Sequence, residues 1–200
     1  MLKKFSGDLR RAKVGEAIVM QVLQSVYGND YDFNDVSDNK EYWHKGDIEI
    51  VRDGKTKYLD VKMDSRIAQT GNILCEDEVY FVENDSFRPG CIHSDYDYLA
   101  IISVEAKRIW IVDNHELQQH YKEGREFACR HEEQTTYGYL FPLYKAQKYG
   151  MIKAIIDYEE LGGHQNRVYN PVNVYDKQET LSCKLTAKLL AKSAWTVLTI

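Results

Sequence analysis

The sequence predicts an α/β fold with a mixed central sheet flanked by helices, and three stretches predict it. Residues 48–62, IEIVRDGKTKYLDVK, read as two strands around an Asp53-Gly54 turn. Leu9 to about Tyr27 repeats apolar residues at helical spacing, and LAIISV followed by IWIV repeats a strand-turn-strand pattern with buried character. At 200 residues, with 44% hydrophobic residues and only three prolines, the chain fits one domain, residues 1–200, in which 124–200 is a C-terminal elaboration.

The first helix has Asp8 as its N-cap and stops at Gly28-Asn29. Leu9, Ala12, Val19 and Leu23 form its apolar stripe, and Glu16 lies three, four and seven positions from them. A glutamate on the core-facing side of a helix needs a partner. Arg11, Lys13 or water would serve if the residue sits at the rim. Asn29 to Glu41 is polar and reads as a solvated loop, since its aspartates lack the glycine and terminal glutamate of a calcium loop.

The hairpin at 48–62 carries the chemistry. Asp-Gly is a two-residue type I′ signal, so facing residues have numbers summing to 107: Val51 faces Thr56, Ile50 faces Lys57, Glu49 faces Tyr58 and Ile48 faces Leu59. Asp47 is then expected opposite Asp60. Like charges in direct opposition destabilise a sheet, so a cation should compensate. Side-chain alternation puts Lys62 on the face of Asp47 and Asp60, and Ile48, Leu59 and Val61 on the core face. Paired carboxylates with a nearby lysine suit a divalent cation and an activated water.

Gly46-Asp47 followed by Asp60-Val61-Lys62 resembles the PD-(D/E)xK nuclease superfamily over the first hundred or so residues. Gly46 stands where that pattern has proline, and Asp60 where glutamate is commoner. The resemblance implies a restriction-endonuclease-like fold and a metal-dependent DNA nuclease, with Glu16, Asp47, Asp60 and Lys62 as catalytic residues. Asp47, Asp60, the Val61 carbonyl and Glu16 would hold Mg²⁺, for which Mn²⁺ would substitute. Lys62 would orient or deprotonate the attacking water.

DSRIAQTGNILCEDEVYF resembles the Thr-Gly-Asn…Glu stretch of phage-type members, with Thr70-Gly71-Asn72 a loop and Ile73 to Phe81 extended. It implies that Glu76 approaches the site, that Gln69 meets a phosphate or the metal's waters, and that Arg66 binds the scissile strand. The segment Gly90 to Tyr98 resembles the one in which an aspartate, here Asp97, introduces the strand after the hairpin and supports the site. Asp97 capping its own turn is the simpler alternative.

Farther on, Asp113-Asn114 caps a helix to about Lys122, Tyr137 to Pro142 reads as an edge strand, Gly162 to Gln165 as a loop, and Lys184 to Leu198 as a helix with a basic face. Cys75, Cys91, Cys129 and Cys183 lack CxxC spacing and read as reduced thiols. Cys91-x-His93 with Cys129-x-His131 offers zinc ligands, though at an unusual spacing.

The net charge of −5 opposes nucleic-acid binding only as a sum. Residues 1–13 set Lys3, Lys4, Arg10, Arg11 and Lys13 against Asp8, and Lys45, Arg52, Lys55, Lys57 and Arg66 surround the carboxylates. DNA is the expected partner, with monomer and homodimer both open. No apolar run reaches about 18 residues and the N-terminus lacks a signal-peptide centre, so no membrane association and a cytoplasmic location are expected. A non-catalytic nucleic-acid-binding or assembly module on the same fold is the rival reading.

Overall fold

The computed structural model describes residues 2–158 and 167–169. In chain order the elements are helix α1 (Leu2–Tyr27), strands β1 (Asp32–Asp35), β2 (Ile48–Arg52) and β3 (Lys55–Met63), helix α2 (Ile67–Thr70), strands β4 (Asn72–Phe81), β5 (Ser86–Pro89), β6 (Tyr98–Ser103) and β7 (Arg108–Asp113), helix α3 (Asn114–His120), strands β8 (Arg125–Arg130) and β9 (Gln134–Pro142), helix α4 (Leu143–Lys148), and strands β10 (Ile152–Asp157) and β11 (Arg167–Tyr169). Short 3₁₀ turns occupy Lys40–Tyr42, Cys91–His93 and Tyr121–Glu123. No helix among the described residues is long and apolar enough to cross a membrane.

The fold is mixed α/β. A seven-stranded sheet runs β1-β2-β3-β6-β7-β10-β11, antiparallel except for the parallel β3–β6 pair at its centre. A second, antiparallel sheet of four strands runs β5-β4-β9-β8. Val19, Val22 and Leu23 of α1 pack on Leu59, Val61, Ala100, Ile102 and Ile111, one face of the first sheet. The other face, Leu99, Ile101, Trp110, Val112 and Ile155, packs on Ile73, Cys75 and Phe141 of the second sheet and on the short helices through Ile67, Leu117 and Ala146. Burial on both faces explains why β6 reads as a continuous apolar run.

Several expectations are corrected here. A second sheet, rather than long helices, covers the far face. The first helix begins at Leu2, so Asp8 lies within it and does not cap it. Part of the polar stretch 29–41 forms β1, an edge strand anchored by buried Phe33 opposite Ile50. Tyr137 to Pro142 belongs to β9, which lies inside the second sheet between β4 and β8, not at its edge. The expected loop at 162–165 and helix at 184–198 fall outside the described residues.

The second hairpin and the Asp113 cap take their expected places, Asp113 accepting the Glu116 N–H. The first hairpin adopts the register summing to 107, with Asp53 and Gly54 at φ +50° and +74°. Energetics explain why it holds. A slip by one residue would swing Ile48, Ile50, Leu59 and Val61 out of the core at about 2 kcal/mol each. Cross-strand charge repulsion is worth only about 0.2–1 kcal/mol.

Candidate active site

The end of the hairpin builds the site. β2 stops at Ile48, paired with Leu59, and Asp47 does not take the next rung. Its N–H donates to the Leu59 carbonyl at 2.9 Å, so Asp47 and Ile48 both face Leu59 in a β-bulge. Asp47 is therefore displaced from direct opposition to Asp60, a correction to the simple register. Gly46 makes this possible: its φ is +122°, and a Cβ there would lie 2.8 Å from the Leu59 carbonyl oxygen. Proline, fixed near −65°, cannot adopt that conformation.

Displacement gives Asp47 a donor. Its Oδ2 accepts the Val61 N–H at 2.8 Å, a bond that a continued ladder would give to the carbonyl of residue 46. N–H and C=O of one strand residue point to the same side, so the Val61 carbonyl faces Asp47 as well. Leu59 and Val61 pack under α1, while Asp60 and Lys62 turn toward the second sheet.

Four carboxylates and two lysines interact here. Lys62 Nζ lies 3.1 Å from Asp60 Oδ2, and Lys13 Nζ lies 3.0 Å from Glu16 Oε2 while also reaching Asp38. Glu16 thus has the lysine partner expected of a rim residue and also acts on the site, because its charge raises both Asp47 and Asp60. Its helix is close: a Cβ on neighbouring Gly15 would touch Met63 of β3. Glu76 acts on Asp60 and Lys62 from the second sheet.

The electrostatics record the crowding. Burial, then the Asp60 and Glu16 charges, push the Asp47 carboxyl up to about 6, against the Val61 N–H and Lys62. Burial pushes Asp60 up too, assisted by Glu16 and Glu76 and opposed by Lys62. For Lys62, burial favours loss of the proton, but the Asp60 and Glu76 carboxylates outweigh it and hold the ammonium above its ordinary range. Asp60 and Lys62 both shift upward, and of the two directions we stand behind that of Lys62, whose ammonium is held by the carboxylate 3.1 Å away. The Lys62 side chain is 43% exposed, so burial opposes its charge less than it opposes that of Asp60, which is 15% exposed.

Two further features aim Glu76 and Cys91. β4 carries a bulge between Glu76 and Glu78, where Glu76 acts on the cluster and Asp77 binds Tyr121 and His93 instead. Gly90 lets the 3₁₀ turn press on β4, donating its N–H to the Asp77 carbonyl at 2.7 Å. A Cβ there would clash with the Glu76 carbonyl. Cys91 follows, hydrogen-bonded to Glu76, its thiol pushed up to about 12 chiefly by burial. Sequence reasoning read Cys91 as a reduced thiol, or at an unusual spacing as a zinc ligand, and did not place it beside Glu76. Its expected zinc partner His93 is instead bound to Asp77 at 2.8 Å, and Cys129 and His131 pair with each other at the exposed end of β8.

The remaining expected residues divide. Asp97 caps no turn of its own. It accepts the Tyr58 N–H at 2.8 Å and the Lys57 ammonium, and its own N–H returns to Tyr58, which seats β3 on β6 two residues before Asp60. Arg66 and Gln69, both exposed at α2, make no hydrogen bond or ion pair to the cluster.

A metal fits the donor chemistry more than the present side-chain positions. Among the described residues no three His, Cys, Asp or Glu side chains converge to hold an ion. Yet Glu16 Oε2 and Asp60 Oδ2 are buried without a hydrogen bond of good geometry, each having only an ammonium at ion-pair distance. Hard carboxylate oxygens in excess over ammonium groups suit Mg²⁺ or Mn²⁺. Compared with models of known families, with curated proteins and with solved structures, the chain matches none.

Proposed function

We propose that this protein is a metal-dependent DNA nuclease, a phosphodiesterase with a restriction-endonuclease-like core. The observation that carries the reading is the coupled cluster: Asp60 and Glu16 acting on Asp47, and Glu16 acting on Asp60, with Lys62 at 3.1 Å from Asp60, at the open end of a two-stranded turn. Asp47, Asp60 and the Val61 carbonyl would hold Mg²⁺, with Glu16 at a second ion or its waters. Bound there, the ion supplies a water of lowered pKa and positive charge against the phosphate.

The chain's own part follows from its charges. Lys62 keeps its proton, so it hydrogen-bonds and orients the nucleophile or a phosphate oxygen and does not act as base in the metal-free state. Asp97 holds β3 in place below the carboxylates. Gly46 fixes the bulge that points Asp47 at Val61.

The test is cleavage of linear, circular, single-stranded and branched DNA with Mg²⁺ or Mn²⁺, beside Asp60→Ala and a chelator control. Loss of cutting in both controls supports the nuclease. Normal cutting by Asp60→Ala overturns this site. The alternative is a non-catalytic binding module on the same scaffold. It would bind DNA under every condition and cut it under none.

A further inference from the structure

We infer that Trp43 is a stacking platform for an unpaired base, so that the substrate is DNA carrying unpaired nucleotides beside the scissile phosphate. The inference rests on the nuclease reading for the phosphate's position and on its own observations for the platform. Trp43 is 66% exposed, the most exposed large hydrophobic residue among those described. It stands on an ordered turn. The Asn39 side chain caps the Glu41 N–H, the Lys45 and Gly46 N–H groups both return to the Tyr42 carbonyl, and the Asp95 N–H ties down the His44 carbonyl. An indole presented on such a support loses little further freedom when a base stacks on it.

The surrounding charge fits a polynucleotide. Lys40 Nζ lies 5.8 Å from the Trp43 ring centre, and Lys45 Nζ lies 5.5 and 5.2 Å from the rings of Tyr42 and Tyr58. Among the described residues neither lysine has a carboxylate partner, so both ammonium groups remain available to phosphates. A flat aromatic beside unpaired cations is the arrangement that binds single strands with little regard to sequence.

Position supplies the specificity. Three residues lie between Trp43 and Asp47, so their Cα atoms are about 14 Å apart at most, or roughly four base steps of duplex. An indole face stacks only on a base whose own face is free, which continuous duplex does not offer near the cut. A tail, flap or branch does.

The experiment measures binding without metal, in chelator, of one duplex with and without an unpaired tail, by fluorescence anisotropy. Wild type should prefer the tailed duplex. Trp43→Ala should lose roughly tenfold on the tailed duplex and leave the blunt one unchanged, and Trp43→Phe should recover most of the loss. Tail binding should also quench tryptophan emission in wild type and not in Trp43→Ala. Equal losses on both duplexes, or none, overturn the inference while leaving any cleavage activity, and the nuclease reading, intact. A tail preference dependent on Trp43 in a protein that cuts nothing supports the platform and overturns the nuclease.

Discussion

Asp47 and Val61 are joined side chain to backbone, the carboxylate Oδ2 accepting the N–H at 2.8 Å where the strand ladder ends. One side chain therefore completes the sheet and supplies charge to the site. Asparagine can do the first and not the second. Asp47→Asn should keep wild-type stability or exceed it in chelator, because repulsion from Asp60 is relieved, yet lose cleavage. Asp47→Ala should lose cleavage and, with Val61 N–H unpaired, about 1–2 kcal/mol of stability. Urea unfolding of both variants checks this; equal stabilities would mean that the bond contributes nothing.

The same residue sets a pH dependence. Its folded value of about 6 lies above the ordinary 3.8, so between them the folded metal-free protein holds a proton that the unfolded chain has released. The contribution is present at acid pH and is lost as pH rises from about 4 to about 6, up to about 3 kcal/mol. Asp77 has the opposite sign. Burial raises it, but Tyr121 and His93 outweigh that, so its stabilisation is lost as pH falls below the ordinary carboxylate range. Stability of wild type minus Asp47→Asn, measured from pH 4 to 7, should fall with pH; a flat difference removes the coupling.

Lys62→Ala and Asp60→Ala should both abolish cleavage by different routes. Calorimetry with Mn²⁺ should show binding to wild type and Lys62→Ala and little to Asp60→Ala. Metal-free DNA binding should hold or tighten in Asp60→Ala and weaken modestly in Lys62→Ala, since one removes a negative charge near phosphate and the other a positive one.

Gly46→Ala should cost about 2 kcal/mol or more, from the positive φ and the contact with the Leu59 carbonyl, and Gly46→Pro more still. By contrast Gly54→Ala, with open space around its Cβ, is strained by its φ alone and should cost less. Thermal unfolding of the three variants orders them; a Gly46→Ala protein as stable as wild type would dismiss the bulge.

What was legible in the sequence was local. Asp53-Gly54 and the two-residue alternation set the hairpin register, and helical spacing put Glu16 toward the protein, where Lys13 meets it. The bulge at Asp47 was hidden because it depends on a positive φ at Gly46 that the simple register does not contain. The pairing of β4 with β9 was hidden because its partners lie more than fifty residues apart and neither strand alternates cleanly. Glu76 was legible only through the family resemblance, and the bonds of Asp77 to Tyr121 and His93 were not legible at all. Phe33 in β1 was masked by its acidic neighbours, although a single buried ring anchors that edge.

The parallel neighbours β3 and β6 are linked through α2, β4, β5 and a 3₁₀ turn rather than through a covering helix. This gives folding a built-in order. Asp47 and Asp60 meet across a two-residue turn, a short-range event, whereas Glu76 waits for β4 to find β9 across most of the chain's middle. Mutational analysis of refolding rates should find Val51 and Thr56 structured in the transition state and Thr136 not, so that half of the carboxylate cluster exists before the other half has a sheet to stand on.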